Sequence, residues 1–285
     1  VGLDVKNLTY VYNPGTPFET RAVDDVSLEI HDGEFVGIIG HTGSGKSTLI
    51  QHLNALIEPT SGSVFVDGED INASKNRSAL RRRVGLVFQY PEYQLFEETV
   101  LKDVSFGPRN MGKSEAESEQ AAKDALNLVG LLEDNWEKSP FELSGGQQRR
   151  AALAGVLAMK PEVLILDEPA AGLDPSGRKE ILDIIKRIHS RGTTVIMVSH
   201  SMDDVARLCD RIIVMEKGRK VMDGTPRDVF SHVEELENMG LKPPSAALLS
   251  KRLRERGIDI SDGIYTLAGL IEELKNKLGG IEKSA

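Results

Sequence analysis

An α/β fold built around a mostly parallel sheet is what the 285-residue sequence predicts, on three observations. The runs Phe35–Ile39, Val163–Leu166 and Val195–Val198 are short and continuously apolar, as strands buried on both faces must be. Stretches with apolar residues at helical spacing lie between them. A glycine-rich segment, Gly40 to Ser47, joins the first run to a helical stretch, where a parallel sheet presents a loop suited to an anion.

The elements follow in chain order. From Leu3 to about Ile39 apolar and polar residues alternate, with turn signals at Asn13-Pro14-Gly15 and His31-Asp32-Gly33, so a β-rich entry is expected. Between Gln89 and Ser144 the spacing turns helical. Ser114 and Glu117 make a capping box, followed by Ala121, Ala125, Leu128 and Leu132, and a helical subdomain over about 97–160 is expected. A helix should start at Pro175 behind Asp174 and bury Ile181, Ile184, Ile185 and Ile188. Past Phe230 a charged amphipathic tail is broken at Lys242-Pro243-Pro244 and Gly263, which divides the chain into a main domain, 1–230, and a small C-terminal extension, 231–285. No internal repeat is visible, so one catalytic unit is expected.

Composition limits the setting. A hydrophobic content of 40% is ordinary for a globular chain with a sizeable core, and it excludes disordered and fibrous classes. No apolar run approaches the roughly 18 residues that a membrane span needs. The opening residues lack a secretory leader's basic and apolar regions, and Cys209 is the single cysteine, both of which point to the cytoplasm. The net charge of −9 speaks against a nucleic-acid partner, because phosphate-backbone binding rests on clustered Lys and Arg. Arg81-Arg82-Arg83 and Arg149-Arg150 read as solvated or ion-paired surface.

The chemistry starts at Gly40-His41-Thr42-Gly43-Ser44-Gly45-Lys46-Ser47, a Walker A pattern after a strand and before the helical stretch Thr48 to Leu56, as in a P-loop NTPase. Its glycines let successive N–H groups turn toward phosphate oxygens, and the helix N-terminus adds positive potential. Lys46 supplies a charge for the β and γ phosphates of ATP, Ser47 a hydroxyl for Mg2+, and Thr48 a donor for the α phosphate. Downstream, Leu164-Ile165-Leu166 ends in Asp167-Glu168, at the carboxyl edge of the sheet beside that loop. Asp167 fits the Mg2+ shell, and Glu168 fits a base that polarises the attacking water. Gln89, after the apolar run Val84 to Phe88, reads as a ligand of the metal or the water, or as a plain surface amide. His200, after Val195 to Ser199, reads as a γ-phosphate contact or as a structural histidine.

Leu143-Ser144-Gly145-Gly146-Gln147 decides among the phosphate-loop families, and with it the chain resembles the ABC ATPases from Tyr12 to roughly Phe230. Gln89, Leu143 to Gln147, Asp167-Glu168, Gly172-Leu173-Asp174 and His200 stand in the family's order. Ser144 with the N–H groups of Gly145 and Gly146, opening a helix Gln147 to Ala158, makes a second anion site. The resemblance implies that this site closes over the γ phosphate held by an opposite subunit, that Asp174 lies at the dimer interface, and that Tyr12 stacks on adenine. By spacing alone Tyr12 is equally a core tyrosine.

Within the class, Gln89-Tyr90-Pro91-Glu92-Tyr93-Gln94-Leu95-Phe96 is similar to the energising ATPases of energy-coupling-factor transporters, importers of vitamins and transition-metal ions. The His41-Thr42 loop and Ala171-Gly172-Leu173-Asp174-Pro175 resemble the second, A-prime, of their two ATPases; Ala170 stands where Thr is commoner. The resemblance implies a paralogous ATPase or a second copy as dimer partner, a transmembrane coupling protein, a membrane substrate-capture protein, and a place on the cytoplasmic face of the membrane. It also implies a dimer-stabilising role for the extension, which by spacing alone is only amphipathic, and a coupling-helix groove made by Tyr90, Pro91, Tyr93, Leu95 and Phe96, residues that on their own also read as internal packing. The other reading is a soluble ABC ATPase of DNA repair or translation. Against it, the chain has neither a coiled-coil or zinc-bearing insertion nor a second ATPase unit.

Overall fold

The computed structural model describes residues 2–71 and 81–281, so Val1 and residues 282–285 of the expected extension lie outside the described residues. The strands β1 (Leu3–Tyr12) and β2 (Thr20–Ile30) form an antiparallel pair across the Asn13-Pro14-Gly15 turn. With β4 (Ser61–Val66) and β5 (Glu69–Asp70) they make an antiparallel sheet in the order β2-β1-β4-β5. The second sheet contains β3 (Phe35–Ile39), β6 (Val84–Val87), β7 (Val163–Asp167), β8 (Thr194–Val198), β9 (Arg211–Glu216) and β10 (Arg219–Gly224). Its order is β10-β9-β3-β8-β7-β6, parallel throughout except for the antiparallel edge strand β10.

The continuous apolar runs are explained by two cores, one on each face of this sheet. In β3, Phe35 and Ile39 enter one core while Val36 and Ile38 enter the other. In β7 the same period of two separates Leu164 and Leu166 from Val163 and Ile165. One face is covered by helices alone; the other is covered mainly by the antiparallel sheet together with a single helix, α1 (Lys46–Leu53). That other face packs against Leu3, Val5 and Leu8 of the antiparallel sheet and against Leu49, Ile50 and Leu53 of α1.

On the helical side, α5 (Pro175–His189) starts at Asp174, whose carboxylate accepts from the Gly177 N–H at 2.8 Å. Ile181, Ile184, Ile185 and Ile188 are at most 2% exposed, and each such burial stabilises by about 1.5–3 kcal/mol. Helices α2 (Val100–Asn110), α3 (Glu115–Leu128) and α4 (Gly145–Leu157) fill the expected helical region. The Ser114–Glu117 capping box opens α3 as expected, but the helix stops at Leu128, and Leu132 stands beyond it, 72% exposed. Its buried stripe is Ala121, Ala122, Ala125 and Leu126.

The remaining α-helices among the described residues are α6 (Met202–Leu208), α7 (Pro226–Ser231), α8 (Val233–Asn238), α9 (Ser245–Glu255) and α10 (Leu267–Ile281). The main core continues through Phe230, Leu236 and Leu241, so it passes the residue-230 boundary. A separate small cluster begins only with Ala246, which packs with Ile260 and Leu270. No helix of the described residues is long and apolar enough to cross a membrane.

Candidate ATP-hydrolysing site

Because β3, β6, β7 and β8 are parallel, their carboxyl ends share one edge, and the residues that follow them meet there. Gly40 to Lys46 follow β3, Gln89 comes shortly after β6, Asp167 ends β7 with Glu168 next, and His200 follows β8. A cavity of about 330 Å³ is lined by Thr42, Gly43, Gly45 to Thr48, Gln89, Asp167, Glu168 and His200. Four segments far apart in sequence thus converge as expected.

The phosphate loop is shaped by its contacts. Gly45 has φ +98, and a Cβ there would stand 2.2 Å from the Ala22 carbonyl oxygen, so only glycine fits. As the N-cap of α1 it offers no side-chain oxygen to the helix N–H groups, which leaves them for an external acceptor. The helix starts at Lys46 and ends at Leu53, earlier at both ends than the expected 48–56. The Lys46 ammonium is buried and donates to the carbonyls of Gly40 and His41 at 2.7 and 2.9 Å. The Thr48 hydroxyl lies 3.2 Å from that of Tyr12, at the end of β1, which brings Tyr12 beside the loop. Tyr10 packs edge-on against both Tyr12 and His52, so the Tyr12 ring rests on an aromatic support that the sequence reading passed over.

The signature segment is ordered by its own cap. The Ser144 hydroxyl accepts from the Gln147 N–H and the Gln147 side chain accepts from the Ser144 N–H, at 3.4 and 2.9 Å. This capping box starts α4 at Gly145, two residues before the expected Gln147. Leu143 is buried beneath it. Ser144 to Gln147 and Asp174 line a different cavity, of about 650 Å³, together with Tyr90, Glu92 and Tyr93. Tyr90 and Tyr93 therefore border the signature, not the apolar groove expected of them. Pro91, Leu95 and Phe96 do line that groove, which is completed by Phe106 and Met159.

The ABC transporter family model matches residues 23–171. The energy-coupling factor transporter ATP-binding protein EcfA2 of Clostridium tetani is 54% identical over 281 residues, covering 98% of this chain and 96% of that protein. The chain belongs to the ABC transporter family, among its energy-coupling-factor ATPases. Two solved structures agree. CbiO1 from Clostridium perfringens, part of the ABC transporter complex cbiONQ, is 39% identical with a TM-score of 0.73, over 87% of this chain and 98% of that one. The dimeric ATP-binding cassette MJ0796 bound to ADP and Pi is 31% identical with a TM-score of 0.70, over 79% and 98%. These likenesses support the transport reading over repair or translation.

Burial governs the electrostatics of this ABC ATPase. Desolvation pushes the Glu168 carboxyl up to about 7, with the neighbouring Asp167 adding to the rise and the backbone N–H it accepts from His200 opposing it. Asp167 is raised by burial against the Ser47 hydroxyl bond and the Lys46 charge. Lys46 and His200 are both lowered, chiefly by desolvation. Glu168 has φ +50, its Oε1 is buried without a hydrogen-bond partner, and His200 Nε2 stands 3.5 Å from it. Such an orphaned oxygen beside the Ser47–Asp167 pair fits a polar guest, and the oxygen donors suit Mg2+. Among the described residues no group of three or more His, Cys, Asp or Glu is placed to hold a metal alone, so phosphate oxygens would have to share the coordination.

The raised carboxyl has a stability consequence. With Glu168 at about 7 folded against 4.5 unfolded, its contribution is fully present below pH 4.5 and is lost as pH rises through 7. Glu168→Gln removes that loss. Thermal melts without nucleotide or Mg2+ are expected to show the variant more stable than wild type at pH 8, by on the order of 2 kcal/mol, and equal to it near pH 4.5. Equal melting curves at pH 8 would contradict the desolvated state of this carboxyl.

Two arginines were misjudged or missed from sequence. Arg149 is 3% exposed and paired with Glu92, not at the surface. Arg178 on α5 bonds Ser201 and the Asp204 carboxylate, the latter at 2.5 Å, and so links α5 to the residue after His200. Of the other basic residues read as surface, Arg83 is ion-paired with Asp67 and Glu162 and Arg150 with Glu180, while Arg81 donates to the Ala55 carbonyl.

Proposed function

We propose that this chain drives import of a vitamin or transition-metal ion by closing and opening a dimer around ATP. Gly40 to Thr48 bind the phosphates, with Lys46 on the β and γ groups and Tyr12 under the adenine. Glu168 takes a proton from the attacking water, Gln89 orients that water, and His200 steadies the γ phosphate. Ser47, Gln89 and, through its hydrogen bond, Asp167 would hold Mg2+, which when bound neutralises charge on the phosphates. Leu143 to Gln147 meet the nucleotide of the opposite subunit, with Asp174 at the interface.

The observation that carries this reading is that the phosphate loop and the signature line separate cavities of one chain. A single copy therefore presents two half-sites. ATP bound between two copies favours the closed state, and hydrolysis removes that differential affinity.

The partners are a paralogous ATPase or a second copy, a transmembrane coupling protein and a membrane substrate-capture protein, with the chain peripheral on the cytoplasmic face. The groove of Pro91, Leu95, Phe96 and Phe106 supports a docked helix. The extension supports dimer contact through Leu249, Leu267 and Ile271, each more than 40% exposed. Purification of the tagged chain from native membranes in mild detergent, with mass spectrometry of its companions, tests the assembly. Co-purification of an ABC ATPase with membrane proteins is expected; recovery with ribosomal or DNA-repair proteins alone would refute it.

A further inference from the structure

A buried guanidinium is tolerated only when its donors are met, and those of Arg149 are met by segments from distant parts of the chain. Its Nε and Nη2 form a fork with the Glu92 carboxylate at 3.1 and 2.9 Å. Its Nη1 donates to the carbonyls of Pro169 and Ala171 at 3.3 and 2.5 Å. The guanidinium carbon lies 5.6 Å from the centre of the Tyr90 ring. Tyr90 is also the wall against which the backbone turns at Gly172, where φ is +73 and a Cβ would meet the ring at 3.4 Å.

Each of these segments carries a residue of the ATPase chemistry close by. Tyr90 and Glu92 follow Gln89; Pro169 and Ala171 lie between Glu168 and Asp174; Arg149 itself follows Ser144 to Gln147 on α4. We infer that the Arg149–Glu92 fork is a strut that sets the Pro169–Asp174 loop against the Gln89 turn and the signature helix, making both residues positioning residues for hydrolysis. The inference rests on the proposed reading that these segments meet at a nucleotide shared by two subunits.

Neither Arg149 nor Glu92 lines the phosphate cavity, and in the signature cavity, which both border, their charged groups are engaged with each other and Arg149 with the Pro169 and Ala171 carbonyls, so the strut acts on attack geometry more than on nucleotide capture. A displacement of about 1 Å in a supporting segment can cost up to about a hundredfold in rate. Lysine keeps the charge at Arg149 but presents a single point, which cannot hold the fork and the two carbonyls together.

The test measures kcat and KM for ATP in the assembled transporter carrying Arg149→Lys, Glu92→Gln or both, with thermal melts beside them. Arg149→Lys is expected to lower kcat about tenfold or more with KM within about twofold, and the double variant to fall no further than the worse single one. Glu92→Gln keeps the side chain's shape and is expected to lower kcat by a smaller factor while melting like wild type. Unchanged kcat in both folded variants overturns the strut, and so does a kcat loss matched by an equal loss of folded protein or by an equal rise in KM. Full turnover in a Lys46→Ala control would instead overturn the ATPase reading, and the strut with it.

Discussion

Glu168→Gln is expected to bind ATP like wild type and to lose steady-state hydrolysis by a factor on the order of 10² to 10⁴, the range of general-base catalysis. The side chain stands at the end of β7 in the same cavity as Lys46 and Gln89. Glutamine preserves its size, so the phosphate loop, the Lys46 ammonium and the Ser47–Asp167 bond stay in place. What goes is the oxygen that takes the proton, Oε1 or its twin. Because the interaction is made only in the transition state, kcat and kcat/KM should fall together while the nucleotide dissociation constant holds. An equilibrium titration with a fluorescent ATP analogue, run beside a phosphate-release assay, separates the two quantities. Wild-type phosphate release would remove Glu168 from the chemistry; loss of binding would mean the carboxylate shapes the loop.

How far the sequence could be read depends on whether a signal is local. The phosphate loop was legible because glycines, lysine and serine at fixed spacing act through backbone geometry that needs no distant partner. The β7 carboxylates were legible for the same reason, since a strand end fixes where the next two residues stand. Ser114 and Glu117 announced a helix start because a capping box is complete within four residues. Leu132 misled by continuing the helical spacing past the point where the chain turns at Gly130, φ +68. Covering one sheet face with a second sheet was hidden because an apolar strand run reports burial on both faces without naming what buries it. Arg149 was hidden most deeply. Its partners Glu92, Pro169 and Ala171 are far off in sequence, and beside Arg150 it looked like a solvated pair. Tyr90 and Tyr93 went astray likewise, since side-chain direction on a short turn is settled by tertiary contacts.

Ser144→Arg is expected to abolish hydrolysis in a self-paired dimer while leaving ATP binding at the phosphate loop of the same chain intact. Ser144 lines the signature cavity and not the phosphate cavity, so its replacement leaves the protomer's own loop untouched. The bulky cation would fill the surface that the opposite subunit's γ phosphate must reach, and the loss of the cap hydroxyl adds about 1 kcal/mol of local destabilisation at α4. Mixing gives the sharper test. In a dimer of one Ser144→Arg copy and one Glu168→Gln copy, one shared site keeps both Glu168 and Ser144, while the other loses both. Random pairing of equal amounts should therefore restore roughly a quarter of wild-type turnover from two inactive proteins, by the two-fold symmetry of the assembly. If each chain used its own signature, every site in the mixture would carry a defect and no activity would return. Recovery on mixing would place Ser144 in trans to Glu168; continued silence, with dimers confirmed by light scattering, would reject the shared site.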